Sequence, residues 1–281
     1  MHQSFGGWYY RIQSDTDTLA VIPAYHQARG HRFSSVQMIT KDRSWSVSFP
    51  WEAFRKNGDS MQIGPNYFGA HIIHLELKSG DLTAKGELRF GPLTPIKYDI
   101  MGPFRYVPFM ECRHTIRSMR HTVSGSLEIN GKIRSFQNAL GYLEGDRGRS
   151  FPKHYVWTQC FFPGGSLVLS AAEIPMGPLG FTGTLAVVMW QGKEYRLATY
   201  LGAKVVHIGS GEVILRQGPW TLSAKLLARS GRPLLAPVHG DMVRTIHEHV
   251  ICRAAYSFQN REQTLFQFTS DRAAFEYEYP V

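Results

Sequence analysis

The chain has 281 residues, of which 43% are hydrophobic and 19% charged, so it is long enough to form two compact domains. This balance excludes a wholly disordered chain, a coiled coil and a collagen-like repeat. The formal net charge of +9 suggests two classes of anionic partner, nucleic acid and the anionic surface of a membrane.

The basic residues do not form a continuous stripe. Their densest group, RHTIRSMRH at 113–121, spreads over both faces of a possible strand. We therefore expect no nucleic-acid partner, whereas a peripheral contact with an anionic membrane is compatible with the charge.

The start of the chain, MHQSFGGWYY, lacks the basic and apolar regions of a signal peptide, and no apolar run reaches the roughly 18 residues of a spanning helix. The expected location is therefore the cytoplasm. Cys112, Cys160 and Cys252 are far apart and form no CxxC pair, which favours reduced thiols over disulfides.

Alternation of apolar and polar residues predicts β-strands along the chain. Four segments show it most clearly: SWSVSF (44–49), TVSGSLEI (122–129), WTLSAKL (220–226) and FEYEY (275–279). Asn130-Gly131 follows the second segment and predicts a tight hairpin. The apolar spacing in residues 241–258 fits a helix and a strand equally well.

Short predicted strands recur about every ten residues and are separated by Gly, Pro, Asn or Asp, which is typical of an all-β protein. The chain is long enough for two barrels or two sandwiches. Closure stabilises sheets of many short strands, because it leaves no unpaired strand edges. The predicted seam lies near residues 136–141. It gives an N-terminal domain of residues 1–140 and a C-terminal domain of residues 141–281.

Aromatic residues make up 13% of the chain, so we expect some of them to line a ligand cavity. Four stretches combine Gly or Pro with aromatic, histidine or acidic residues: 5–10, 101–114, 141–160 and 234–248. They contain the motifs GWYY, MGPF with PFMEC, GYLEGDRGRSFPKHYVWTQC, and LLAP with GDM, with ATY before the last pair.

In the order of these motifs the chain resembles the tocopherol cyclase family. The most specific part is the acidic loop followed by Phe-Pro and Trp-x-Gln. The resemblance implies two lipocalin-like antiparallel β-barrels packed together, a fold shared with carotenoid hydratase-like proteins. It also implies cofactor-free, acid-catalysed cyclisation, or a related hydration or isomerisation, of a prenylated quinol or similar apolar isoprenoid.

The chemistry itself limits which residues can act. Adding a hydroxyl group across an alkene requires an acid that delivers a proton to carbon near neutral pH. A carboxyl group buried among apolar residues meets this need, because burial disfavours its ionised form. Aromatic faces can stabilise the cationic carbon that develops. The reaction needs neither a metal ion nor a redox cofactor.

Glu144 is the first candidate acid and Asp146 the second, and Glu111 with His114 nearby is a third choice. Other roles stay open for each. Asp146 could form a solvated ion pair with Arg147, and Glu144 could fix its loop through a hydrogen bond. A buried Glu111 would need a partner such as His114.

The predicted substrate-binding residues are Trp8, Tyr10, Tyr142, Tyr155, Trp157, Gln159 and His114. Tyr142 shares a strand face with Glu144, and Gln159 would orient a substrate oxygen. The segments on either side of the Phe151-Pro152 turn could then line one pocket.

Other sites and functions are weaker alternatives. His247 and His249 would share a strand face, but further metal ligands at a recognisable spacing are missing. Cys160 has no obvious base except His154. A non-catalytic lipocalin-like carrier of an apolar ligand would need the same aromatic cavity but no acid, and a protein-interaction module would need no cavity.

Overall fold

A computed structural model describes residues 3–108, 110–176, 179–228 and 231–280. These residues form 21 β-strands and three 3₁₀ helices of three to five residues. The strands belong to two large sheets built from antiparallel pairs, so the predicted all-β class is confirmed. In this part of the chain, no helix has the length and hydropathy needed to cross a bilayer.

The described residues divide into two compact units. The first unit contains the residues up to 96 together with 110–151 and 234–245. The second unit contains 97–108, 152–233 and the residues from 246 onward.

The first sheet has eleven strands in the order β4-β3-β2-β1-β11-β10-β9-β8-β7-β6-β5. They are β1 (Ser4–Gln13), β2 (Thr18–Ala28), β3 (His31–Thr40), β4 (Ser44–Pro50), β5 (Phe54–Asn57), β6 (Ser60–Ile63), β7 (Asn66–Phe68), β8 (Ile72–Ser79), β9 (Leu82–Phe90), β10 (Cys112–Ile129) and β11 (Lys132–Gly148). One face of this sheet encloses a hydrophobic core, in which Val47 is buried with Trp45 and Phe49 packed beside it. This is the alternation predicted for residues 44–49.

The second sheet has ten strands, nine of them in the order β15-β14-β13-β12-β21-β20-β18-β17-β16, with β19 paired to β20. They are β12 (Tyr155–Phe162), β13 (Gly165–Met176), β14 (Leu179–Trp190), β15 (Lys193–Ala198), β16 (Lys204–Gly209), β17 (Glu212–Gln217), β18 (Trp220–Leu226), β19 (Arg232–Val238), β20 (Asp241–Gln259) and β21 (Thr264–Tyr277). The 3₁₀ helices are Trp51–Ala53, Gly102–Tyr106 and Thr199–Leu201. The segment that fitted either a helix or a strand is β20, and its alternate residues Ala254, Tyr256 and Phe258 enter the core of the second unit.

The predicted hairpin joins β10 to β11. Ile129 pairs with Lys132, and Asn130 and Gly131 between them have φ values of 49° and 75°. Asn and Gly tolerate this left-handed backbone, which suits a two-residue turn. The boundary predicted between residues 140 and 141 falls inside β11, which pairs with β1 through Gly148, so the compact units divide the chain differently.

Within the first unit, the side chain of Gln37 on β3 binds the segment 234–245. The Gln37 amide donates to the carbonyl oxygen of Leu235 at 3.0 Å and accepts from the Leu235 amide at 3.1 Å. Gln37 is 3% exposed, so water cannot readily replace these bonds. This single side chain therefore satisfies both backbone groups of Leu235.

We expect Gln37→Met to lower the free energy of unfolding by about 2–3 kcal/mol, because it leaves a buried donor and acceptor unpaired. Urea denaturation at neutral pH would measure this loss. The matched control is Gln62→Met, since the amide of Gln62 bonds the carbonyl of Gly64 at an exposed position. Equal stability of the two variants would contradict the anchoring role of Gln37.

Candidate functional site

Three neighbouring strands of the first sheet bring the candidate site together. In their antiparallel register His114 of β10 lies opposite Asp146 of β11, and Ile116 lies opposite Glu144. On the other side of β11, Tyr9 of β1 is the partner of Glu144. Opposed residues in an antiparallel pair project from the same face, so His114, Glu144 and Asp146 share one face.

These side chains form a contiguous polar cluster. The Nε2 atom of His114 lies 3.2 Å from Oε2 of Glu144, and its Nδ1 atom lies 3.1 Å from Oδ1 of Asp146. The Tyr142 hydroxyl donates to Oε2 of Glu144 at 2.5 Å, and the Cys112 thiol donates to Oδ1 of Asp146 at 3.4 Å. We call these five residues the His114 cluster.

Burial differs across the His114 cluster. Tyr142 is fully buried and Glu144 is 4% exposed, whereas the side chain of Asp146 is 25% exposed. The imidazole of His114 lies between the two carboxylates with 13% exposure. The cluster therefore has a deep end at Tyr142 and Glu144 and a more accessible end at Asp146.

The His114 cluster favours a charged imidazole. Burial lowers the pKa of His114, but the carboxylates of Glu144 and Asp146 outweigh burial and hold that pKa well above its ordinary value. Burial and the Glu144 carboxylate raise the pKa of Tyr142, so the phenol stays neutral and acts as a donor. Burial and Asp146 likewise raise the pKa of the Cys112 thiol.

Trp8 and Tyr10 lie on the opposite face of the same sheet. Tyr10 is part of the hydrophobic core, and its hydroxyl donates to the carbonyl oxygen of Gly69 at 3.2 Å. Trp8 packs against that core and covers Gly145, where a Cβ atom would lie only 2.4 Å from the indole. The structure therefore does not bring these two predicted substrate-binding residues to the His114 cluster.

Tyr155, Trp157 and Gln159 lie on β12 of the second unit, and all three are buried. The Tyr155 hydroxyl donates to Oε2 of Glu276, and Trp157 is the cross-strand neighbour of Glu276. Glu276 in turn lies opposite Glu248 on β20, with 8% and 0% of the two residues exposed. Tyr155, Glu248 and Glu276 thus form a second buried acidic group, which belongs to the second unit.

Glu111 precedes β10 and contributes a backbone contact that the sequence does not indicate. Its carbonyl oxygen accepts from the amides of Arg149 and Ser150 at 2.7 and 3.3 Å. Gly148 packs against the same carbonyl, at a distance that leaves no room for a Cβ atom. The carboxylate of Glu111 further raises the pKa of the Cys112 thiol. Glu111 therefore lies beside the His114 cluster, at the end of β11.

Arg11 was not predicted as a site residue. It is fully buried, pairs with Tyr142 in the β1 register, and its guanidinium donates to Gln13 at 3.0 Å. Alternation along β1 places Arg11 on the face of Tyr9, next to the His114 cluster. An arginine flanked by Tyr10 and Ile12 in a buried strand is the sequence signal that could have identified it.

Three members of the His114 cluster also form a possible metal-ligand set. One ligand atom from each of His114, Glu144 and Asp146 lies within 4.8 Å of the others. Each ring nitrogen of His114 lies close to one carboxylate, Nε2 at 3.2 Å from Glu144 and Nδ1 at 3.1 Å from Asp146. With a protonated imidazole this donor set holds a proton, and with a neutral imidazole it suits a metal ion. Among the described residues, His247 and His249 belong to no comparable group.

Comparison with known proteins supports a broad relationship. No protein-family model matches the chain. A curated chloroplastic protein of Oryza sativa subsp. japonica, named a probable tocopherol cyclase, is 28% identical over 120 residues. This match covers 40% of the chain and 26% of the rice protein, so the chain spans about a quarter of that relative.

Solved structures match over almost the whole chain. A Nitrosomonas europaea protein assigned as AttH has a TM-score of 0.56 and 10% identity, covering 100% of this chain and 93% of its own. Kievitone hydratase from Nectria haematococca has a TM-score of 0.58 and 11% identity, and CghA has 0.59 and 9%; both cover 98% of this chain and 88% of their own. At such identities these likenesses show the fold alone, and they confirm the lipocalin-like class expected from the sequence.

Proposed function

We propose that this protein is a cofactor-free enzyme of the cyclase or hydratase type that acts on a small apolar molecule. The placement of the His114 imidazole between the Glu144 and Asp146 carboxylates, at 3.2 and 3.1 Å, is the observation that supports this proposal most directly. A carrier of apolar ligands gains nothing from burying such a charged cluster, because desolvating charges costs free energy. An acid catalyst needs a proton held at a defined position.

In the proposed reaction Glu144 delivers the proton and His114 supplies it. A proton that moves from Nε2 of His114 to Glu144, 3.2 Å away, converts the carboxylate into a neutral acid. This acid protonates one alkene carbon as the π bond breaks, and a hydroxyl oxygen bonds to the other carbon. The hydroxyl proton then returns to the cluster, so no oxidant or reductant is needed.

Tyr142 and Asp146 hold the acid in place. Tyr142 fixes Glu144 by donating to Oε2, and Asp146 holds His114 through Nδ1. Asp146 is also the most accessible member of the charged group, which makes it the route for proton exchange with solvent. These two are therefore positioning residues in the proposal.

We infer the substrate class from the comparisons and the motifs together. The curated match is named as a tocopherol cyclase, and one structural neighbour is a hydratase. A prenylated quinol or a similar isoprenoid carries both an alkene and a hydroxyl group, as ring closure requires. Addition of water to the same alkene would use the same acid, so cyclisation and hydration are two outcomes of one mechanism.

Isotope incorporation tests this function. The protein is incubated in D₂O with a prenylated quinol in detergent micelles, and the recovered lipid is examined by mass spectrometry and NMR. We expect a cyclised isomer, or a product heavier by one water, with one carbon-bound deuterium per turnover; micelles without protein serve as the control. Stoichiometric binding of a prenylated quinol that is recovered unchanged would favour a non-catalytic carrier.

A further inference from the structure

The second unit presents a compact apolar and basic surface away from its core. Tyr106 is 72% exposed, Val107 41% and Leu201 44%. We call this the loop surface, and it comprises Pro103, Arg105, Tyr106, Val107, Pro108, Leu201 and Lys204. Its two segments are adjacent, because the 3₁₀ helices Gly102–Tyr106 and Thr199–Leu201 contact each other.

The guanidinium of Arg196 fixes the base of the loop surface. The guanidinium of Arg196 donates to the carbonyl oxygens of Tyr98 and Asp99 at 2.8 and 3.0 Å. Its side chain is 5% exposed and pairs with Glu194, which is 4% exposed and also accepts from the backbone amide of Lys97 at 2.8 Å. The segment that leads to the exposed tip is therefore tied to β15 by charge-assisted hydrogen bonds.

Tyr200 holds the next part of the same segment. Its hydroxyl donates to the carbonyl oxygen of Ile100 at 2.9 Å, and its ring packs edge-on against Phe104 at 5.9 Å. Gly102 has a φ of 51°, and a Cβ atom there would lie 2.5 Å from the Tyr200 ring. Because the base is packed this closely, the apolar residues at the tip are held out toward solvent.

The two segments that form the loop surface carry more basic than acidic residues. Arg105 and Lys204 are exposed, and the guanidinium of Arg105 lies 4.5 Å from the ring centre of Tyr106. The single acidic residue within 97–108 and 199–208 is Asp99, whose carboxylate accepts from the backbone amide of Met101 at 2.9 Å. An anionic surface would thus meet cations and apolar side chains together, with little repulsion.

We propose that the loop surface binds the surface of an anionic lipid bilayer. Tyrosine is suited to the boundary between headgroups and acyl chains, where Val107 and Leu201 bury apolar area and the cations meet anionic headgroups. The overall charge of +9 acts in the same direction. This contact would bring the second unit to the lipid bilayer, in which apolar molecules dissolve.

Vesicle sedimentation tests the proposal with the full chain. Vesicles of phosphatidylcholine alone are compared with vesicles containing 30% phosphatidylglycerol, at low and at physiological salt. We expect stronger partitioning to the anionic vesicles, a decrease with salt, and about a fivefold loss for each basic side chain removed, hence about 25-fold for Arg105→Gln with Lys204→Gln. Tyr106→Ser with Val107→Ser should also weaken partitioning.

The control is Ile133→Ser, which removes an isolated apolar residue of 73% exposure from the β10–β11 hairpin and should leave partitioning unchanged. Circular dichroism establishes that every variant is folded. Equal binding to both vesicle types, or loss of self-association instead of vesicle binding in the Tyr106 and Val107 variant, would overturn the proposal. Because no substrate is present, the result is independent of the proposed chemistry.

Discussion

Glu144→Gln is expected to lower turnover by about 10²–10⁴-fold, the usual contribution of a positioned general acid, while ligand binding stays nearly unchanged. The amide has nearly the same shape, so Tyr142 can still donate to its oxygen. It cannot, however, take up and release a proton. Turnover is measured under saturating substrate, and binding by displacement of an apolar fluorescent probe.

The pH profile distinguishes this role from a structural one. The Glu144 carboxylate raises the pKa of His114 more than the Asp146 carboxylate does. Its removal should therefore lower that pKa and shift the alkaline limb of residual activity to lower pH. Glu87→Gln is the matched control, because Glu87 pairs with Arg89 at an exposed position of the same unit. Full turnover in Glu144→Gln would remove Glu144 from the acid role.

The same substitution should change how stability depends on pH. A histidine whose pKa is raised by folding stabilises the protein fully below its unfolded pKa, near 6.5, and loses that contribution as the pH rises through the folded value. The parent protein should therefore lose the His114 contribution on the alkaline side. Glu144→Gln removes part of this contribution, so its stability should vary less in that range.

The sequence predicts the strands well because burial of one face imposes alternation. The Asn130-Gly131 turn even defines the pairing near the hairpin, where Ile129 lies opposite Lys132. Counting back from this turn would place His114 opposite Arg147. Bulges in β10 shift the register by one residue, so His114 meets Asp146 instead. No local pattern in the sequence marks these bulges, which is why the position of His114 between Glu144 and Asp146 could not be predicted.

The remaining differences also arise from long-range pairing. Tyr142 and Glu144 share a face, as alternation predicts, because they are two residues apart on one strand. Trp8 lies on the opposite face of the sheet from Glu144. The sequence could not predict this, because β1 and β11 are more than a hundred residues apart and no turn between them sets their register. Glu276 alternates with apolar residues, which predicts a solvent-facing side chain. In the structure it is buried opposite Glu248.

Acidification should destabilise the first unit through two buried histidines. Burial lowers the pKa of His26 to about 4, and burial together with His71 lowers the pKa of His121 to about 4. The His26 ring bonds Ser35 at 2.8 Å and stacks on Phe33, so it is neutral in the folded protein at pH 7.

A depressed histidine pKa means that the unfolded chain binds the proton more tightly. The contribution of each neutral histidine to the free energy of unfolding is therefore complete above pH 6.5 and is lost as the pH falls toward 4. By pH 5 the expected loss is about 2 kcal/mol for each histidine, which is large beside a total stability of roughly 5–15 kcal/mol. The raised pKa of His114 acts in the opposite direction over this range, so parent and variant must be compared at each pH.

Urea denaturation at pH 7 and pH 5 would measure the effect in the parent, His26→Gln, His121→Gln and the double variant. Each single substitution should make stability less dependent on pH by about 2 kcal/mol over this interval, because glutamine does not titrate. His31→Gln is the control, since the His31 side chain is 52% exposed. If the parent and the double variant lost stability equally between pH 7 and pH 5, these histidines would not be neutral in the fold, and burial would not govern their protonation.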